Sequence, residues 1–116
     1  MGHWHDVSAE LAEPGRALKA RIPEVYDGFN AMSRAATADG ELSAAMKEVI
    51  ALVIGVSHQC DGCVAAHARK AARRGATKAQ VAEALGVAIF MMGGPGTVYA
   101  AKAWDAFSEF AKPEND

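Results

Sequence analysis

The run from Ala44 to Val56 carries only two charges, Lys47 and Glu48, and it stops at a polar cluster, Ser57-His58-Gln59-Cys60-Asp61-Gly62. Met46, Val49, Ile50, Leu52, Val53, Ile54 and Val56 leave a helix there almost no polar face. A helix that is apolar all round must be buried in protein or span a membrane. Spanning takes about 20 apolar residues, so this run is too short. Ser43 is placed to cap its start. The polar cluster should turn the chain, and a second helix from about Asp61 to Arg74 should return beside the first, with Gly75 as its stop. The expectation is an all-α fold of five to six helices around a central antiparallel helical hairpin. The apolar helix would be covered partly by its own chain and partly by a neighbouring copy.

The same stretch holds the reactive side chains. Both cysteines, Cys60 and Cys63, lie at its turn, and His67 follows Cys63 by four residues. Residues four apart on a helix share a face, with Cβ atoms roughly 5–6 Å apart, so the thiol and imidazole can meet directly or through one water. A free cysteine has a pKa near ~8.5 and is about 3% thiolate at pH 7. An imidazolium and a helix N-terminus both favour the thiolate. Glu48 would be roughly 18 Å from Cys60 along a straight helix. With a bend near His58, Glu48 instead falls level with His67, where it can orient the ring and stabilise its protonated form. Two cysteines two residues apart at a helix start can also close a reversible disulfide.

Composition limits the alternatives. The 116 residues suffice for a single domain, with residues 1–20 a peripheral segment whose first residues are expected to be disordered. The net charge of −2 and pI near 6.1 offer no case for nucleic acid. Arg69, Lys70, Arg73 and Arg74 are expected to complement the dipole at the end of their helix. Hydrophobic residues make up 51% and aromatics only 7%, so alanine does much of the packing. The stretch from Ala84 to Ala101 has no charge, but three glycines and a proline interrupt it midway, which argues against a membrane span. It reads as a surface between helices or subunits, and a homo-oligomer is expected. Without a basic-then-apolar leader and with one cysteine pair, the chain is expected to be cytoplasmic and redox-active.

The other elements follow from local signals. Leu11 and Leu18 suggest a short helix broken or kinked at Pro14-Gly15. Ile22-Pro23 opens a helix with Tyr26, Phe29 and Met32 or Ser33 as its stripe, ending near Ala38. Thr77 to Gln80 forms a capping box for a helix to about Met92. Gly93-Gly94-Pro95-Gly96 should break the chain before a last helix from about Thr97 to Ala111.

A thioredoxin reading of the cysteine pair lacks the βαβ context. Zinc is the structural alternative, with Cys60, Cys63, His67 and His58 as ligands, but such sites usually draw on a second paired cluster, and none exists here. No metal and no other cofactor is expected. The pattern E-x11-C-x2-C-x3-H resembles that of the alkylhydroperoxidase AhpD / carboxymuconolactone decarboxylase family. IPEVYDGF, Asp39-Gly40-Glu41-Leu42, Lys47-Glu48 and MMGGPGTVYAAKA resemble its short members as well, so the likeness runs from about Ile22 to Phe107. The resemblance implies a helical trimer or hexamer with thiol peroxidase activity, acting on a small hydroperoxide and re-reduced by a thiol or disulfide reductant protein. It implies Cys63 as the attacking thiolate, Cys60 as its disulfide partner, and Glu48 and His67 as the proton relay. Some members have a histidine where this chain has Gly62, and His58 is a candidate auxiliary in its place. Two other readings stand beside this one: decarboxylation of a carboxylated lactone, and a redox-sensing protein that is not an enzyme.

Overall fold

The computed structural model describes residues 2–116, and all secondary structure among them is helical. Six α-helices run in order: α1 His3–Arg21, α2 Pro23–Thr37, α3 Ala44–Ser57, α4 Asp61–Arg73, α5 Lys78–Met92 and α6 Gly94–Phe110. A 3-10 turn, Pro113–Asn115, closes the chain. The all-α fold around a central hairpin is as the sequence predicts.

The hairpin is α3 and α4. Ser43 caps α3, its hydroxyl accepting the N–H of Met46 at 3.1 Å. At the other end the chain leaves α3 through paired backbone bonds, Gln59 N–H to Val56 O at 3.0 Å and Cys60 N–H to Gly55 O at 3.1 Å. This closure needs one residue in the left-handed region, and Gln59 takes it with φ 53°. A non-glycine residue bears roughly 1–2 kcal/mol there. The same closure ends α4, but with Gly75 at φ 91°, where no such cost arises.

The two hairpin helices approach closely because Gly55 faces α4. A Cβ on Gly55 would come within 3.2 Å of Cys63 Cβ. Leu52, Val56, Val64, Ala65, Ala68 and Ala71 are wholly buried at this seam and beneath it. Burying a leucine or valine contributes roughly 1.5–3 kcal/mol, so the apolar run of α3 does much to hold the site in place.

The N-terminal segment departs from expectation in two ways. From His3 onward it is ordered helix, and α1 passes through Pro14 without a break. Pro14 is exposed, so the carbonyl it frees one turn earlier can turn to water. Order at the start comes from Trp4, which is 2% exposed and donates its indole N–H to Asp105 at 3.0 Å. Glu109 accepts the backbone N–H groups of Trp4 and His5 and also pairs with the His5 ring. Burial alone would push the Glu109 carboxyl up, but these hydrogen bonds and the nearby imidazole hold it below the usual range.

The break between α5 and α6 is shorter than the sequence suggests. Gly93 alone makes it, with φ 71°, and α6 begins at Gly94 rather than Thr97. Pro95 fits the first turn, where no N–H is needed. A Cβ on Gly96 would lie 3.1 Å from Ile89 Cα and 3.2 Å from the Ala88 carbonyl, so glycine lets α6 fold back against α5. The capping box at Thr77 and Gln80 forms as predicted. Asn115, 1% exposed, ties the C-terminus down by donating to the carbonyls of Ala72 and Ala76 at 3.0 and 2.8 Å.

α2 contributes no buried residue at all. Of its predicted stripe, Tyr26 and Ser33 are half-buried, while Phe29 and Met32 stay about 60% exposed. Ile50 and Ile54 on α3, and Val87, Phe90, Met91 and Val98 around the α5–α6 turn, are exposed too.

Candidate active site

The turn between α3 and α4 brings the reactive groups together. Glu48, on the second turn of α3, is 2% exposed. Its Oε1 lies 2.8 Å from Nδ1 of His67, which is nineteen residues away in the chain and 27% exposed. A buried carboxylate needs such a partner, because an uncompensated charge in the interior is very costly. With Glu48 ionised it can only accept, so the imidazole carries its proton on Nδ1, and Nε2 is left to give or take another. His67 stands four residues after Cys63 on α4, so ring and sulfur share one helix face.

Cys60 and Cys63 are joined by a disulfide, with Cα atoms 5.2 Å apart. Cys60 is also the N-cap of α4, and its sulfur accepts the N–H of Cys63 at 3.2 Å. Both half-buried sulfurs therefore sit in the first turn of a helix, where unpaired N–H groups favour negative charge. His58 is exposed and closes α3 through its backbone. Among the described residues its ring makes no hydrogen bond.

Three neighbours of the pair were not legible in the sequence. Leu11 of α1 reaches over Gly62, and a Cβ at Gly62 would be 3.1 Å from Leu11 Cδ1. The side chain of Leu11 thus lies against the middle of the motif. Asp61 accepts a hydrogen bond from Tyr99 Oη at 3.0 Å, and Lys102 Nζ lies 3.8 Å from the same carboxylate oxygen. These links cross thirty-eight and forty-one residues of chain, so no local signal marks them.

Among the described residues no group of three His, Cys, Asp or Glu side chains is arranged to hold a metal ion. A groove of about 410 Å³ at the far end of α4 is lined by His5, Arg69, Arg73, Glu109, Phe110 and Lys112. Its arginines stand in the last turns of α4, where they complement the dipole, and Arg69 stacks 4.8 Å over Phe110. No helix is long and apolar enough to cross a membrane among the described residues.

The chain is thus all-helical, with a disulfide at the start of α4 and, on the same hairpin, a His67–Glu48 pair whose carboxylate is buried. The sequence profile of the carboxymuconolactone decarboxylase family matches residues 23–106, and the chain belongs to that family. An uncharacterised protein of Cupriavidus necator is 44% identical over 101 residues, covering 84% of this chain and 89% of its own. A second, uncharacterised protein 4 in the cox locus of Paracoccus denitrificans, is 36% identical over 102 residues, 88% of each chain. Among solved structures, the apo crystal structure of a carboxymuconolactone decarboxylase family protein from Legionella pneumophila superposes with a TM-score of 0.90. It shares 36% identity, and the match covers 94% of this chain and 97% of that one.

Proposed function

We propose that this protein is a thiol peroxidase that reduces small hydroperoxides through Cys60 and Cys63. The observation that carries this reading is the Glu48–His67 contact at 2.8 Å, formed on the same helix face as a cysteine already bonded to its neighbour.

The scheme balances with these residues and an external dithiol as reductant. The Cys63 thiolate attacks the peroxide, an S–O bond forms and the O–O bond breaks, giving Cys63 sulfenic acid and an alkoxide. His67 gives the alkoxide its proton, and Glu48 stabilises the ring while it is charged. Cys60 then attacks the Cys63 sulfur, and the departing hydroxide takes the proton of Cys60 and leaves as water. A dithiol, supplied by a thiol or disulfide reductant protein, attacks Cys60 with one sulfur and releases Cys63 as the thiolate. Its second sulfur then breaks the mixed disulfide and frees Cys60, so the reductant leaves as a disulfide and its two protons restore the Cys60 thiol and the protonated His67. His58 has no part in these steps.

In an assay with a dithiol reductant, the protein should consume many equivalents of an organic hydroperoxide per chain. Oxidation that halts after one equivalent would replace this reading with that of a redox sensor. Release of carbon dioxide from a carboxylated lactone would place the activity on the decarboxylating branch.

The homo-oligomer expected from the sequence is also part of the proposal, as a trimer or hexamer. Phe90 is 82% exposed and Met91 74%, and Val87, Val98, Ile50, Ile54, Phe29 and Met32 are exposed as well, large apolar side chains of the kind a partner copy covers. Light scattering at micromolar concentration should give three or six times the chain mass of 12.1 kDa. A stable monomer would end this part of the proposal.

A further inference from the structure

Asp61 poses an electrostatic conflict. As the first residue of α4 it suits the positive end of the helix dipole, yet it stands directly after Cys60 and two residues before Cys63. A free carboxylate there opposes formation of either thiolate. The structure turns Asp61 toward α6, where Tyr99 Oη donates to it at 3.0 Å and Lys102 Nζ approaches the same oxygen at 3.8 Å. Lys102 is itself held 4.5 Å over the Tyr99 ring, one turn away on α6.

We propose that Tyr99 and Lys102 are positioning residues of the redox site: together they draw off and offset the charge of Asp61, and so keep the Cys60–Cys63 thiols easy to ionise. This deepens the thiol-peroxidase reading and rests on it for its purpose. Asp61 and Lys102 are each 42% exposed, and an ion pair in that setting adds only about 0–1 kcal/mol to stability. Holding the fold is therefore a poor account of the pair. Its place beside the cysteines is a better one, because one uncompensated charge a few ångströms from a thiol changes how readily that thiol ionises. The titratable groups of the hairpin beside the cysteines are Glu48 on α3, His58 just after it and His67 on α4, while α1 meets the turn with the apolar side chain of Leu11.

The test reads thiol ionisation directly, through the pH dependence of iodoacetamide alkylation of the reduced protein, so it does not depend on peroxide turnover. Lys102→Met should slow alkylation at pH 7 by roughly threefold and leave the rate at pH 10 unchanged. Tyr99→Phe should shift the profile in the same direction. Asp61→Asn should not slow alkylation at pH 7, and adding Lys102→Met to it should cost nothing more. Circular dichroism of each variant checks that the helical content of the chain is unchanged. An unmoved profile in Lys102→Met, or an equal loss from Lys102→Met with and without Asp61, would overturn the proposal. If the profiles move as expected while no hydroperoxide is turned over, the positioning role stands and the peroxidase reading falls.

Discussion

Replacing Cys63 by serine should bring hydroperoxide turnover down to the uncatalysed rate, a loss of roughly a thousandfold or more, as removal of a nucleophile generally does. Serine keeps the size of the side chain and Cys63 is only half-buried, so the fold should survive the change. The seam at Gly55 would see an unchanged Cβ. Cys60→Ser should behave differently. It leaves the Cys63–His67 face intact, so one equivalent of hydroperoxide should be reduced and Cys63 should stop at the sulfenic acid, trappable by dimedone and visible by mass spectrometry. Turnover by Cys63→Ser at a rate near that of the wild type would remove Cys63 from the role assigned to it. A dimedone adduct on Cys60 in that variant would reverse the order of the two cysteines.

The second large effect should come from the carboxylate. In Glu48→Gln the amide keeps the shape and can still accept from Nδ1, but the charge that stabilises a protonated His67 is gone. Alkylation of Cys63 at pH 7 should fall by roughly tenfold, because an opposite charge within hydrogen-bond reach ordinarily moves an ionisation by one unit or more. The rate at pH 10 should barely change, since the thiol is ionised there without help. His67→Ala should lose at least as much. The double variant should lose less than the two single losses combined, because carboxylate and ring act as one unit. A profile untouched by Glu48→Gln would reduce Glu48 to a buried structural acid paired with His67.

Much of this architecture was open to reading from residues alone, for identifiable reasons. The hairpin was legible because a helix whose run from Val49 to Val56 is free of charge must be covered, and the polar cluster after it leaves one way to do so. That reasoning also brings Glu48 level with His67, where their hydrogen bond is found. The caps at Ser43 and Thr77 were legible since capping is local, involving groups three residues apart. Pro14 and the Gly93–Gly96 run were overread. Proline weakens a helix, but it does not break an exposed one that is anchored at its start, and of the glycines only Gly93 needs a left-handed backbone.

Chain order and residue type by themselves determined an all-α fold of five to six helices, the turn between α3 and α4, and the spacing that sets Cys63 and His67 on one helix face, because each follows from periodicity or from contacts within a few residues. Tertiary structure alone decided which distant groups close on that turn. Trp4 is pinned by Asp105 and Glu109, Leu11 covers Gly62, and Tyr99 and Lys102 hold Asp61. Each of these contacts joins segments tens of residues apart, and its partner is selected by packing of whole helices. Nothing in a local window distinguishes Tyr99 from any other half-buried tyrosine until α6 has folded back beside α4.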